Sequence, residues 1–181
     1  KPEGSHARLG LDISMLAGAI GPCAALIDAT RAAGALVAYS YLSYAPDYSD
    51  GGYLVREIMP HISTAGVCPR GPWVAEIVEE LTPKPDDVVI EKSRMSSFLR
   101  TDLEKCLRDR GIDTLIVCGV TTNMCIESTV RDASQLDFRT FVVGDAVGEV
   151  DPVRHENALI SMEFLFAKLI TTDDVIARFK E

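Results

Sequence analysis

Short β-branched apolar runs alternate with amphipathic stretches along the chain, and this alternation is the feature that most constrains the fold. The runs predicted as strands are 35–42, 87–91, 114–120, 139–143 and 168–171. The stretches with helical spacing are 22–33, 74–81, 102–110, 124–136 and 152–166. Near-continuously apolar strands separated by helices predict a parallel sheet covered on both faces. We therefore expect a three-layer α/β/α sandwich with right-handed crossovers.

Length and charge limit the class of protein. The 181 residues suit one domain with one core, which we expect to span residues 1–181. The net charge of −9 argues against nucleic acid as a partner, because phosphate binding needs clustered Lys and Arg. No apolar run is long enough to cross a bilayer, and residues 1–10 do not resemble a signal peptide. We expect a soluble, cytoplasmic protein that does not bind membranes.

The sequence contains five cysteines without any Cys-x-x-Cys pair: Cys23, Cys68, Cys106, Cys118 and Cys125. An odd number with this spacing is typical neither of a disulfide framework nor of a structural zinc site. We therefore expect reduced thiols, most of them small buried groups. Cys118 lies inside the predicted strand 114–120 and is assigned to the core.

The segment 43–71 is long for a connection in a compact domain, and it holds three tyrosines: Tyr44, Tyr48 and Tyr53. Segments of this length without clear periodicity are usually functional or mobile. In an open α/β sheet it lies near the carboxyl ends of the strands, where ligands bind. We expect it to form a lid or a subunit contact.

Cys125 falls in the first turn of a helix that begins directly after the strand 114–120 and a short polar turn. Thr121, Thr122 and Asn123 are all residue types that cap helix N-termini. Unpaired N–H groups and the helix dipole concentrate positive potential there, which favours a nucleophilic thiolate and can hold an oxyanion. The alternative is a buried cysteine that lies near a helix start.

Lys92 follows the predicted strand 87–91. Because the carboxyl ends of parallel strands share one edge of a sheet, Lys92 and Cys125 are expected to meet there. An ammonium group beside a thiol stabilises the thiolate. The alternative is a solvated lysine at a strand end.

Two segments together resemble the motifs of the isochorismatase-like cysteine hydrolases. One is VCGVTTNMCIESTVRDA at 117–133, which matches the nucleophile motif, and the other is the lysine motif from Lys92 to Phe98. The resemblance extends from Pro2 to about Ile176 and implies a Rossmann-like sheet. It also implies that Cys125 attacks a substrate carbonyl with help from Lys92 and an N-terminal aspartate.

The same resemblance describes the turn before the nucleophile. It implies a cis peptide bond between Val120 and Thr121, and an oxyanion held by backbone N–H groups near Thr121 and Cys125. One departure concerns the aspartate, which in the family ends a first strand. Asp12 better matches a later, non-catalytic position, so the first strand and its aspartate are missing from this sequence.

The resemblance also narrows the substrate. Nicotinamidases of the superfamily bind a metal through Asp-x-His-x-x-His, but the matching region SYLSYAPDYSDGGY has no histidine. This implies no catalytic metal and no cofactor. The segments 71–81 and 92–94 look most like those of ureidoacrylate, biuret and N-carbamoylsarcosine hydrolases. Isochorismate is disfavoured because its vinyl ether is cleaved without a cysteine nucleophile.

Three residues are candidates for substrate binding: Arg94, Asn123 and Trp73. Arg94 is suited to bind a carboxylate bidentately, and the alternative is a surface ion pair. Trp73 either walls the pocket or packs in the core. His155 is interpreted as structural or interfacial. Family members are usually oligomers, which implies a homodimer or homotetramer.

The leading hypothesis is therefore a metal-independent cysteine hydrolase that cleaves the C–N bond of a small amide or ureide through a Cys125 thioester. One alternative is a catalytically silent binding or scaffold protein of the same fold, motivated by the missing aspartate. Another is a hydrolase of isochorismate or nicotinamide. A nucleotide-binding domain is disfavoured, because no Gly-x-Gly-x-x-Gly or P-loop pattern follows a strand.

Overall fold

The computed structural model describes residues 4–71 and 77–180. Within these ranges the strands are β1 (Ala38–Leu42), β2 (Val88–Lys92), β3 (Thr114–Val120), β4 (Arg139–Gly148) and β5 (Lys168–Ile170). The α-helices are α1 (Ser5–Arg8), α2 (Ser14–Gly18), α3 (Ile20–Ala32), α4 (His61–Thr64), α5 (Leu103–Asp109), α6 (Glu127–Gln135), α7 (Pro152–Leu165) and α8 (Thr172–Arg178). Two π-helical turns, Leu54–Ile58 and Thr122–Ile126, and a 3-10 turn, Glu79–Leu81, complete the set.

All strand pairs in the described ranges are parallel, which confirms the predicted α/β class. β1 pairs with β2, and the register sets Leu42 opposite Lys92. β4 pairs with β3 on one side and β5 on the other, and Val120 lies opposite Gly148. The expected single sheet is instead divided, since none of the described strands joins β1 to β3.

The side chains of β4 show why the fold has three layers. Val142 packs in a cluster with Ala158 and Met162 of α7. Its neighbour Val143 packs in a different cluster with residues of α3 and α8. Successive residues of a strand point to opposite faces, so the helices cover both faces of this sheet. None of the described helices combines the length and apolar character that a membrane crossing requires.

Several boundaries differ from the sequence predictions. β4 continues five residues past the predicted end at Val143, because Gly148 lets the backbone of Met15 approach: a Cβ there would lie 2.5 Å from the Met15 carbonyl oxygen. The segment 43–71 contains helical turns that its irregular sequence pattern does not indicate. In the predicted helix 74–81, residues 74–76 lie outside the described ranges and the end forms only a 3-10 turn.

Candidate active site

Lys92 and Cys125 lie side by side at the carboxyl edge of the strands. Lys92 is the last residue of β2, and its side chain is buried, with 4% of its surface exposed. Its Nζ lies 3.1 Å from Sγ of Cys125. The two residues are 33 positions apart in sequence, and they meet because β2 and β3 end at the same side of the fold. The predicted meeting of ammonium and thiol is confirmed.

The Lys92 ammonium group has three N–H donors, and each of them has an acceptor at Cys125 or in the segment that follows Lys92. Besides the thiol, it donates to the carbonyl oxygens of Arg94 at 3.0 Å and Met95 at 2.6 Å. Among the salt bridges of residues 4–71 and 77–180, none involves Lys92. A buried ammonium held by neutral carbonyls favours an anion at its remaining contact, and that contact is Cys125.

The helix that carries Cys125 begins with a π-helical turn, Thr122–Ile126, rather than with the expected α-helical turn. Thr121 is its N-cap residue, but no side chain makes the expected cap hydrogen bond. The Thr122 hydroxyl is instead bonded to Nδ1 of His155 at 2.9 Å. The interpretation of His155 as structural or interfacial stays a prediction, and this contact fits the structural role. The peptide bond between Val120 and Thr121 is cis, as the resemblance implied.

Hydrogen bonds also join the helix that carries Cys125 to the segment that follows Lys92. The Thr129 hydroxyl donates to the carbonyl oxygen of Cys125 at 2.6 Å. The same hydroxyl accepts the Ser97 N–H at 3.0 Å. Because Ser97 belongs to the segment that follows Lys92, these bonds fix the distance between the two reactive groups.

Thr121 remains a prediction as an oxyanion donor, and its surroundings fit that role. The residue is 4% exposed. Its backbone N–H has no hydrogen-bond acceptor among the residues that the structure describes. Buried N–H groups are nearly always paired, so this donor is available to a ligand oxygen.

The three predicted substrate residues lie in different surroundings. Arg94 donates from Nη1 to the carbonyl oxygens of Asp50 and Ser93, each at 2.7 Å. It forms no ion pair with the described residues, and the surface ion pair considered as an alternative stays untested. Trp73 lies outside the described residues. The role of each in substrate binding stays a prediction.

Asn123 lines a cavity of about 230 Å³ that does not include Cys125 or Lys92. The other lining residues come from α6 and α7: Glu127, Arg154, Asn157, Ala158 and Ser161. The backbone N–H of Asn123 donates to Oε2 of Glu149 at 3.3 Å, and this carboxylate is 1% exposed. No sequence signal indicated Glu149, which follows an ordinary apolar strand.

Tyr44 is a second residue whose position the sequence did not predict, although the tyrosine-rich loop was singled out. It is fully buried, and its hydroxyl has no hydrogen-bond partner among the described residues. Burial raises the pKa of Tyr44 to about 12, with smaller contributions from Cys68 and Cys125. The sequence pattern does not predict the burial of Tyr44, because that burial depends on the path of the loop 43–71.

The described His, Cys, Asp and Glu side chains do not gather in groups of three or more that could hold a metal ion. The expectation of a metal-free reaction stays a prediction.

A parallel α/β fold with a thiol and an ammonium group at the carboxyl edge is the arrangement that the family resemblance implied. Residues 8–174 match the Isochorismatase domain family, and the chain belongs to that family. Its relatives support a hydrolase that acts on carbon–nitrogen bonds.

Curated relatives include ureidoacrylate amidohydrolase RutB of Azorhizobium caulinodans, 31% identical, with 95% of this chain and 81% of the relative covered. RutB of Agrobacterium fabrum is 32% identical, with 95% and 81% covered. Among solved structures, a cysteine hydrolase from Pseudomonas syringae superposes with a TM-score of 0.86 at 31% identity, covering 92% of this chain and 82% of that one. N-carbamoylsarcosine amidase from Thermoplasma acidophilum has a TM-score of 0.74 at 28% identity, covering 88% and 85%.

Proposed function

We propose that this protein hydrolyses the C–N bond of a small amide or ureide, without a metal, through a thioester on Cys125. The observation that carries the proposal is the 3.1 Å contact between Nζ of Lys92 and Sγ of Cys125. A thiolate held by a buried ammonium at a helix start is a competent nucleophile toward a carbonyl carbon.

The proposed reaction has two halves. The Cys125 sulfur forms a bond to the substrate carbonyl carbon, and the tetrahedral oxyanion accepts hydrogen bonds from backbone N–H groups near Thr121 and Cys125. The C–N bond then breaks, and ammonia or an amine leaves with the proton taken from the thiol. Water attacks the thioester, releases the acid and returns the proton to the sulfur.

The proton acceptor in this scheme is the family's aspartate, which no residue of this sequence matches. We propose that it is carried on a further strand between β1 and β3. Each of these strands leaves one edge unpaired by the described strands. Ile116 and Val120 of β3 are 41% and 45% exposed, which is unusual for a strand whose apolar sequence predicts burial on both faces.

The proposed substrate is a ureido acid. The relatives named as ureidoacrylate amidohydrolases and an N-carbamoylsarcosine amidase support this class, because both names describe a carboxylate joined to a carbamoyl group. The guanidinium of Arg94, which forms no ion pair within residues 4–71 and 77–180, supports it as well. Assembly as a homodimer or homotetramer, and a place in the cytoplasm, remain proposals that rest on the resemblance alone.

The test is an ammonia-release assay with ureidoacrylate, N-carbamoylsarcosine, biuret and simple amides. We expect hydrolysis of at least one ureido compound by the natural protein and none by Cys125→Ala. Trapping the wild-type enzyme with substrate should add an acyl mass to the peptide that contains Cys125. Absence of hydrolysis with every compound would favour the catalytically silent alternative.

A further inference from the structure

The Tyr44 hydroxyl is a buried hydrogen-bonding group that nothing in the described structure satisfies. The residue is 0% exposed, and its oxygen has no partner in residues 4–71 and 77–180. Leaving such a group unpaired is destabilising, so an unpaired hydroxyl beside an active site indicates a missing ligand group.

The backbone holds Tyr44 rigidly at the carboxyl edge. Its N–H donates to the carbonyl oxygen of Cys68 at 2.9 Å, and its own carbonyl oxygen accepts the N–H of Arg70 at 2.6 Å. Leu42 lies opposite Lys92 in the parallel register, and Tyr44 comes two residues later. Because side chains alternate with a period of two, Tyr44 continues the face to which Lys92 belongs.

The pKa of Tyr44 shows in which form its hydroxyl meets a ligand. Burial is the main reason why the pKa of Tyr44 rises to about 12, followed by Cys68 and Cys125, while Arg94 acts in the opposite direction. At neutral pH the hydroxyl keeps its proton and is a donor, not an anion. Tyr44 follows Leu42 by two residues, as Arg94 follows Lys92, so the parallel register brings the two residues to the same part of this edge.

Arg94 presents its own free donors nearby. All its hydrogen bonds to described residues leave from Nη1, to the Asp50 carbonyl and to the carbonyl and hydroxyl of Ser93. The Nε–Nη2 edge, the side of the guanidinium that matches a carboxylate bidentately, has no partner in the described ranges.

Gly52 makes room for this arginine. Its φ is +63°, and a Cβ on it would lie 2.5 Å from Nη2 of Arg94. Any larger residue would therefore displace the guanidinium from its place on the Asp50–Gly52 turn.

We infer that the Tyr44 hydroxyl and the Nε–Nη2 edge of Arg94 together bind the carboxylate of the substrate, so that Tyr44 determines specificity for ureido acids over neutral ureides. This inference rests on the proposed function. Two donors of different elements, one following β1 and one following β2, select a carboxylate, because a neutral carboxamide matches only part of this donor set.

The first test is Tyr44→Phe, which removes one oxygen atom. We expect the ratio of kcat/KM for ureidoacrylate over its neutral carboxamide to fall about tenfold, the loss of one hydrogen bond to a charged group. The loss should come from a higher KM for ureidoacrylate more than from a lower kcat. The matched control is Tyr48→Phe, whose ring packs against Tyr44 at 5.8 Å but whose hydroxyl donates to Val67. The control should keep the wild-type ratio.

The second test is Gly52→Ala, which should lower the same ratio by displacing the guanidinium. Gly34→Ala is its control, because Gly34 also has a positive φ, +69°, but a Cβ on it would meet no atom within 4 Å. If Tyr44→Phe and Gly52→Ala keep the wild-type ratio while their folded fraction is unchanged, the inference is wrong.

Binding distinguishes failure of the inference from failure of the proposed function. Calorimetry of Cys125→Ala with ureidoacrylate measures recognition without turnover, and Cys125→Ala with Tyr44→Phe should bind about tenfold more weakly. Weaker binding by the double variant than by Cys125→Ala, with no hydrolysis by the wild type, supports the inference and contradicts the proposed function. Equal binding by the single and double variants overturns the inference.

Discussion

Two cysteines seven residues apart, Cys118 and Cys125, end in opposite chemical environments. Cys118 lies within β3 and packs against the core cluster that contains Cys23, whose Sγ donates to the Ala146 carbonyl at 3.3 Å. The Cys23 thiol, followed by burial, raises the pKa of Cys118 well above its ordinary value. Cys125, after the turn, contacts the Lys92 ammonium instead.

The two thiols differ in their partners more than in their burial, and under the proposed function this difference decides which of them serves as the nucleophile. Both residues are half-buried, and both belong to the same strand–turn–helix unit. The Cys23 thiol, followed by burial, holds the pKa of Cys118 well above its ordinary value. A cation held by two carbonyl groups favours the anionic form at Cys125.

The largest expected difference is in activity. Cys125→Ala should lower kcat/KM for the ureido substrate by at least about 1,000-fold, because it removes the group that forms the covalent intermediate. Cys118→Ala should retain activity within a few fold. Steady-state ammonia release measures both, with thermal unfolding as a check on folding. Comparable losses in the two variants would abolish the distinction between the thiols.

Removing the cation should have the next largest effect. Lys92→Met keeps most of the side-chain volume but leaves the thiol without its charged partner, and kcat/KM should fall about 100-fold. Lys105→Met is the control, since Lys105 is 74% exposed and pairs with Asp109 on α5. Wild-type activity in Lys92→Met would show that the 3.1 Å contact does not assist the reaction.

Alkylation compares the thiols directly. At neutral pH, iodoacetamide should modify Cys125 at least about tenfold faster than Cys118, because the thiolate is the reactive form. The raised pKa of Cys118 predicts that it stays slow even near pH 8.5, where ordinary thiols ionise. Mass spectrometry of digested protein gives both rates in one sample. Equal rates would contradict the assigned protonation states.

The smallest expected effect is on stability at alkaline pH. The folded-state pKa of Cys118 is raised, so the unfolded chain loses this proton at a lower pH than the folded chain. The free energy of unfolding should therefore fall as pH rises above the ordinary thiol range, by up to about 1.4 kcal/mol per pH unit from one such group. Burial raises the pKa of Cys68 as well, which adds to the slope.

Cys118→Ala should flatten this alkaline slope, and urea unfolding at several pH values measures it. Cys106→Ala, on α5, controls for the loss of any one thiol. A slope that Cys118→Ala leaves unchanged would mean that the Cys23 thiol does not hold the proton on Cys118.

The sequence alone determined the elements and the two reactive residues. The run 114–120 is predicted with the bounds that β3 has, because seven mostly apolar residues bounded by polar turns leave little freedom. Lys92 and Cys125 were predictable because each directly follows or ends a strand, and parallel strands bring such positions to one edge. The motif around Cys125 also predicted the cis bond before Thr121.

Only the tertiary structure decided which hydrogen-bond donors and acceptors pair with one another. The bonds of Thr122 to His155, of Cys23 to Ala146 and of Arg94 to the Asp50 turn join residues far apart in sequence. The burial of an unpaired Tyr44 hydroxyl depends on the same long-range packing. Periodicity records which face of an element is apolar, whereas hydrogen-bond partners across elements depend on how loops place individual atoms, and no local pattern encodes that.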